Sequence, residues 1–306
     1  MKKKNKKFTF IDIEFHKKTK SGFFLFNLIS DYYETNFLWV KSQNKKFIFN
    51  YKKKNLKKNL FFFQFLPNIR ELLSLRNKNL FWAPMYDDIK NKNYFFWLIV
   101  SFFNIRVISF SRRINKLCKI FKIKFIYLKY FPDIKKKYSK LKKKKISIFF
   151  WYRGTVKLYD WINSIDPEYI NEIIYFNLKD PAFKNEKIKN EDKIKYKIKF
   201  YYGRFGKKDK IYKSLVDKCD VYVAPREREG IGHSFLEAMA KGKYILSKNE
   251  ETMNEYILSK KIGNYFEQKM QIENILNYRY ERYKNALKLS NNWNKKKIKL
   301  INFLKK

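Results

Sequence analysis

Along the chain, short runs of β-branched and aromatic residues alternate with stretches whose apolar positions recur every three or four residues. The run FTFIDIEF (8–15) predicts a strand, and SGFFLFNLISDYYETN (21–36) has helical spacing with Ser21 and Gly22 at its mouth. LFFFQFLP (60–67) predicts a buried strand stopped by Pro67, NIRELLSLRNKN (68–79) a helix, and LFWAPMYDD (80–88) a strand running into a loop. IRVISFS (105–111) predicts a strand, RRINKLCKIFKI (112–123) a short amphipathic helix, and KFIYLKYFPD (124–133) a strand ended by Pro132. Such alternation predicts parallel strands joined by crossovers, an α/β fold.

The lysine-rich run IKKKYSKLKKKK (134–145) interrupts this order. Its like charges repel and it has little to bury, so it predicts an exposed basic linker, with a charged helical face as the alternative. The first domain is then expected over 1–133 and the second over 146–306. The second restarts the alternation: strands at 146–154, 172–178, 196–203, 220–225 and 243–248, and helical patterns at 155–165, 210–219, 234–241 and 254–266. Gly242 is placed to cap the helix at 234–241, and Gly263 to close the one at 254–266.

Length and composition agree with two domains of ordinary size: 306 residues, 45% of them hydrophobic, can bury two cores. The apolar run YFFWLIVSFFNI (94–105) is too short to cross a bilayer, which takes about 20 residues. A buried element is expected there, a membrane-surface segment being the alternative. MKKKNKK at the start is basic, but the apolar run after it is short and holds Asp12 and Glu14, so no secretion signal is expected. Cys118, Cys219, His16 and His233 are the only cysteines and histidines, which excludes a Cys/His zinc site and makes both thiols small buried hydrophobes.

The formal net charge is +43, with 37 basic and 8 acidic residues in 1–145 against 34 and 20 in 146–306. Only 11 of the 71 basic residues are arginine, and Lys, Asn, Ile, Phe and Tyr abound, as AT-rich coding would produce. The asymmetry between the halves is not explained that way. A field of this sign attracts anionic lipid, phosphorylated substrates or nucleic acid. Nucleic acid is disfavoured: there is no aromatic RNA-binding signature, no zinc knuckle and little arginine.

One stretch carries chemistry. DVYVAP (220–225) is a short strand, REREGIGH (226–233) a polar loop at its C-terminal end, and SFLEAMAK (234–241) a helix. Ligands of open α/β sheets bind beyond such strand ends. Gly230 and Gly232 allow the backbone to approach a ligand, and the first amides of the helix suit a phosphate. Ser234 and Glu237 fit a capping box, which would make Glu237 a stability device; it could equally accept two ribose hydroxyls. Glu229 has no such structural duty. Arg226 and Arg228 could clamp a diphosphate or pair with Glu227 and Glu229.

The stretch CDVYVAPREREGIGHSFLEAMAKGKYIL (219–246), continuing to GNYF (263–266), resembles the nucleotide-sugar-binding core of retaining GT-B glycosyltransferases of family 4, the glycosyl transferases group 1. That family carries Asp-x-x-x-x-Pro, Glu-Gly-x-Gly and Leu-Glu-Ala-Met-Ala-x-Gly, with two glutamates separated by seven residues; Glu229 and Glu237 match the pair. The resemblance implies two Rossmann-like domains with parallel sheets facing an interdomain cleft, the first for the acceptor and the second for the donor. It also implies a C-terminal helix, about 286–305, packing toward the first domain.

By position, the resemblance implies that Glu237 holds the ribose. Glu229, with Gly230, Ile231 and Gly232, would meet the donor sugar, and the amides around His233 and Ser234 the diphosphate; His233 could equally be an incidental loop residue. Arg153 and Lys157 would offset the leaving diphosphate, with Arg204 as a rival to Lys157. No metal or other cofactor is expected: positive groups and helix termini stand in for the metal, and no enzyme nucleophile is named. The expected partners are a nucleotide-diphosphate sugar, a glycan or lipid-linked acceptor and an anionic membrane surface, placing the enzyme in the cytoplasm, peripheral on the inner face of the membrane. The product class is a surface polysaccharide or lipopolysaccharide. Asp87 and Asp88 are candidates for an acceptor-side base, a solvated turn being the alternative. A GT-B subunit without activity, or a basic polyanion-binding protein, are the other function classes.

Overall fold

The computed structural model describes residues 4–43, 46–48, 56–134, 144–180, 182–203 and 209–305. The basic linker expected at 134–145 falls almost wholly outside them. The chain forms two compact units, Met1–Tyr130 with Asn292–Lys306, and Phe131–Asn291.

Among the described residues the first unit is built on a sheet of seven strands: β1 (Lys4–Ile13), β2 (Tyr33–Gln43), β3 (Lys46–Ile48), β4 (Asn59–Phe63), β5 (Asn79–Ala83), β6 (Arg106–Ser109) and β7 (Phe125–Tyr127). Their order is β3-β2-β1-β4-β5-β6-β7, parallel except for the antiparallel β2–β3 pair. Helices Ile69–Ser74, Tyr94–Phe102 and Arg112–Ile120 follow β4, β5 and β6. They bury Leu72, Trp97, Val100, Ile114 and Cys118 in one core with Ile11, Leu60, Phe62, Trp82 and Val107. Alternate positions face the other way: Phe10 stacks on Phe61 at 5.0 Å and Phe8 lies 5.8 Å from Phe81. On that side Phe81 meets Phe303 of the final helix, Arg279–Lys305, and Tyr33 Oη donates to Ile301 O at 3.1 Å.

Two expectations change here. The helical pattern at 21–36 yields the helix Phe23–Ser30, and Tyr33 begins β2. The strand signal is Tyr33, Thr35, Phe37 and Trp39 at period two, which overrides helical spacing because β2 can pair along β1. The apolar run at 94–105 is a helix buried on one side only: Trp97 and Val100 face the core while Tyr94, Phe95, Leu98 and Phe102 are exposed. The cysteines are free and buried as expected, and burial pushes the Cys118 thiol up to about 12.

Among its described residues the second unit has six parallel strands: β8 (Ile146–Tyr152), β9 (Ile170–Asn177), β10 (Ile198–Tyr202), β11 (Val221–Val223), β12 (Tyr244–Ser247) and β13 (Gly263–Tyr265). The order is β10-β9-β8-β11-β12-β13. The chain runs outward from β8 to β10, then returns to lay β11 on the other side of β8. The β8–β11 boundary is therefore the topological switch point, the place beyond whose strand ends ligands of open α/β sheets bind.

Three further expectations are corrected. The helix expected at 155–165 is two 3₁₀ turns, Leu158–Asp160 and Ile162–Ser164, because side chains take its amides: Lys157 N–H donates to Asp160 Oδ2 (2.7 Å) and Leu158 N–H to Glu186 Oε1 (2.8 Å). The helix expected at 254–266 is absent beyond Asn254, the last residue of the short helix Glu251–Asn254, and Gly263 opens β13 instead of closing a helix. A Cβ there would stand 2.4 Å from Ile245 O, so this glycine serves the close approach of β13 to β12. Gly242 does cap its helix: at φ 71° it donates its N–H to Met239 O (2.9 Å) while Lys243 N–H reaches Ala238 O (3.1 Å), a Schellman motif.

Candidate functional site

The second unit gathers its polar side chains at the switch point. β8 leads into Arg153 and Gly154; the latter, at φ 111°, turns the chain under Phe183, whose ring lies 2.2 Å from where a Cβ would be. The loop after β9 folds across this turn, with Leu178 N–H donating to Tyr152 O (3.3 Å) and Asp180 N–H to Arg153 O (3.1 Å). The loop after β11 brings Arg226. One carboxylate then holds both guanidinium groups: Arg153 Nη2 donates to Asp180 Oδ1 and Arg226 Nη2 to Asp180 Oδ2, each at 2.8 Å. The Arg153 guanidinium also lies over the Trp151 ring at 4.9 Å, a cation–π contact that restrains it. Among the described residues the buried Nε atoms of Arg153 and Arg226 have no hydrogen-bond partner, leaving two donors to spare.

Glu229 lies beside this group, half-buried among protein atoms. Burial pushes its carboxyl above the usual carboxylate range, while Arg226 and then Arg153 pull it back. Two guanidinium groups gathered on one carboxylate, with Glu229 beside them, suit an anion with hydroxyl groups attached. The shared carboxylate makes a prediction: Asp180→Asn removes the competing charge, so inorganic pyrophosphate should bind roughly fivefold to tenfold more tightly by calorimetry. Weaker binding would instead mean that Asp180 serves to orient the arginines.

The helix after this loop, His233–Ala240, begins earlier than the capping-box reading requires. Its N-cap is Gly232, at φ 73° and ψ 50°, and no side chain caps it. The left-handed conformation turns the chain into the helix at once, which leaves Ser234 inside the first turn and Glu237 one turn further on. Glu237 is exposed and is not at the N3 position of a cap. The Ser234 hydroxyl meets the buried tyrosines Tyr212 and Tyr222, whose oxygens are 3.3 Å apart. Burial pushes the Tyr222 phenol up, and the charges of Glu229 and Glu237 add to this, so both acids surround one position. The amides of His233, Ser234 and Phe235 precede the first intrahelical bond, Leu236 N–H to Gly232 O at 2.9 Å.

The structure thus brings together Arg153, Arg226 and Glu229, with Gly230, Ile231, Gly232, His233, Ser234 and Glu237 following along the same loop and helix. Lys157 is exposed on the turn Leu158–Asp160, in the surroundings of Asp160 and Glu186. Arg204 lies outside the described residues. Arg228 pairs with Glu250 at 3.2 Å and Glu227 with Lys248 at 3.3 Å, so Arg228 is turned to another partner. Asp87 and Asp88 sit in the first unit on the turn Tyr86–Ile89, where Asp88 accepts from Gln64 Nε2. Sequence reasoning passed over Asp180; the only signal was an acid at a predicted strand end. It also passed over Asp12, near the end of β1, and His16 just after it, a buried pair joined Oδ1 to Nδ1 at 2.6 Å. Burial raises the Asp12 carboxyl and its bond to His16 opposes this.

Comparison with known proteins adds three findings. No curated protein sequence matches the chain. Residues 183–300 match the family model described as glycosyl transferases group 1. Among solved structures, sucrose-phosphate synthase from Thermosynechococcus elongatus aligns over 98% of both chains at 10% identity and TM-score 0.62. WaaG, a glycosyltransferase involved in lipopolysaccharide biosynthesis, aligns over 93% of this chain and 95% of its own at 11% identity and TM-score 0.53. Anabaena Alr3699/HepE, in complex with UDP and glucose, aligns over 94% of both at 11% identity and TM-score 0.53. By fold the chain is GT-B, an α/β protein of two Rossmann-like units, and its residues 183–300 match glycosyl transferases group 1.

Proposed function

We propose that the protein is a glycosyltransferase that moves a hexosyl or related sugar from a nucleotide-diphosphate sugar to a glycan or lipid-linked acceptor, with retention and without a metal ion. The observation that carries this reading is the convergence at one switch point of Arg153, Arg226, Glu229 and the N-terminus of helix His233–Ala240. The match of residues 183–300 to glycosyl transferases group 1 supports it, as does the fold shared with a protein solved with UDP and glucose.

The diphosphate takes the place of Asp180 on the two guanidiniums, filling their spare donors and lying before the first amides of the helix. Glu229 meets hydroxyls of the donor sugar. Glu237 receives the ribose hydroxyls. As the bond from the anomeric carbon to the diphosphate breaks, negative charge grows on the leaving oxygen, and donors already in place stabilise it without reorganising. The proposed pathway is synthesis of a surface polysaccharide or lipopolysaccharide, by an enzyme peripheral on the inner face of the membrane.

The test is a calorimetric titration with UDP, GDP, ADP, CMP and dTDP in EDTA. One saturable nucleoside diphosphate is expected, adding about 2.7 kcal/mol of stability at a hundred times its dissociation constant. A folded protein that binds none of them sinks the reading. Glu237→Ala should weaken that nucleotide about thirtyfold, through loss of two charge-assisted hydrogen bonds worth ~2 kcal/mol together. Its stability should change by no more than roughly 0.5 kcal/mol, since an exposed residue without a capping role is lost. A fall in melting temperature with binding retained would return Glu237 to a structural role.

A further inference from the structure

The helix Tyr94–Phe102 has one side on the core and the other in solvent, yet both sides are apolar. Tyr94 is 70% exposed, Phe95 63%, Leu98 54% and Phe102 76%. At 3.6 residues per turn these four side chains fall within an arc of about 100°, opposite Trp97 and Val100. An apolar face of this kind on a folded chain marks a surface that something else covers.

The neighbouring helices extend it. Ile69 and Leu73, one turn apart on helix Ile69–Ser74, are 44% and 51% exposed, and Ile120 at the end of helix Arg112–Ile120 is 64% exposed. All three helices cover one face of the sheet, following consecutive neighbouring strands, with Tyr94–Phe102 in the middle. Tyr94 lies 5.7 Å from Phe121, and Ser101 Oγ donates to Phe121 O at 2.9 Å, so the second and third are in contact.

The charge along the second and third of these helices has one sign, with Glu71 on helix Ile69–Ser74 and Asp88 as the acids at the border of the surface. Between Asp88 and Asp133 the sequence contains no acidic residue. Lys90, Lys92, Arg112, Arg113, Lys116, Lys119 and Lys122 are all exposed. Aromatic and aliphatic side chains projecting from a basic surface match the boundary between acyl chains and anionic headgroups. A second copy of this chain would oppose lysine to lysine, and nucleic acid would have no use for the apolar residues.

We propose that the outer side of helix Tyr94–Phe102, flanked by Ile69, Leu73 and Ile120, is the surface by which this protein docks on a bilayer bearing anionic lipid. The phenyl and leucyl groups enter the acyl boundary, and the surrounding lysines and arginines rest on the headgroups. This deepens the membrane-peripheral part of the proposed function and takes only its partner from that reading.

The experiment is cosedimentation of the full chain with vesicles of phosphatidylcholine, alone or with one third phosphatidylglycerol, without nucleotide. Binding to the anionic vesicles is expected, weakening as salt rises. The triple variant Phe95→Ser, Leu98→Ser, Phe102→Ser should partition at least about tenfold less at every salt concentration, because the apolar contribution is lost. Lys90→Glu with Lys92→Glu should lose binding mainly at low salt. All five side chains are exposed, so circular dichroism should match the parent. Absence of vesicle binding by the parent, or equal binding by the triple variant, overturns the proposal. A concentration-dependent dimer that the triple variant abolishes, with no vesicle binding, also overturns it and assigns the face to a second copy. Nucleoside diphosphate titration of the triple variant separates the two readings: unchanged affinity with lost vesicle binding leaves the donor site standing, and vesicle binding without any nucleotide leaves only the surface.

Discussion

Replacing Arg153 by alanine is expected to slow sugar transfer from the bound donor by a factor of about a hundred to a thousand, the usual effect of deleting one preorganised donor at a developing negative charge. Arg153 is placed for this role twice over. Its guanidinium lies over the Trp151 ring at 4.9 Å, and Asp180 holds one Nη at 2.8 Å, so the group is restrained before any ligand arrives. Lysine cannot reproduce a stacked, forked group, and Arg153→Lys should recover little of the rate. The measurement is single-turnover transfer with donor bound to saturation, so that a weaker nucleotide complex is not mistaken for slower chemistry. The half-buried ion pair with Asp180 contributes about 1 kcal/mol, and its loss should lower the melting temperature by a few degrees only. A rate within threefold of the parent would mean that Arg153 serves Asp180 and the loop rather than the diphosphate.

How far the site can be read from the sequence depends on distance along the chain. Arg226, Glu229, Gly230, Gly232 and Glu237 occupy one strand–loop–helix unit, where strand end, glycines and acids are visible together. Arg153 enters from more than 70 residues away, and only the adjacency of β8 and β11 gives it a reason to be there. Asp180 is less legible still: it arrives by way of β9, and its partnership with Arg153 and Arg226 rests on a loop crossing that no local pattern announces. Glu237 shows a different limit. Both Gly232 and Ser234 are good N-cap residues, so spacing alone left a capping box open. The left-handed backbone at Gly232 decides between them.

The fold was legible where periodicity and punctuation agreed. β4, β5 and β8 are runs of buried aromatics and aliphatics bounded by turns, and each appears within two residues of its expected start. The errors fall where punctuation is missing. Nothing such as Gly or Pro separates the helix Phe23–Ser30 from β2, so helical spacing carried across the junction. β13 was hidden by a glycine that reads as a helix end but answers to the carbonyl of Ile245 across the sheet. The segment at 155–165 has helical spacing, yet Asp160 and the distant Glu186 take the amides that would have started a helix. In each case a contact far along the chain overrode a local preference, which is the information that a single sequence carries least well.

The largest stability effect is expected not at the site but behind it, at Arg282. This arginine is 3% exposed, and burial lowers its pKa to about 10, so it remains charged at neutral pH. Its guanidinium donates to four backbone carbonyls: Gly242 O (3.0 Å), Lys261 O (3.2 Å), Asn274 O (2.9 Å) and Ile275 O (2.6 Å). Three separate segments meet on it: the Schellman turn closing helix His233–Ala240, the approach to β13, and helix Ile272–Asn277. Arg282→Met keeps the aliphatic stem and leaves those acceptors inside without donors, at a cost of about 3–5 kcal/mol. Chemical denaturation should show this as a fall in midpoint with the slope unchanged. Arg282→Lys has donors for at most three of the four carbonyls and should lie between the two. Because Gly242 anchors the far end of the helix whose first turn faces the proposed diphosphate, the folded fraction of Arg282→Met should also bind nucleotide less tightly. A loss below 1 kcal/mol would mean that water reaches these carbonyls and that the segments are held together by their apolar contacts instead.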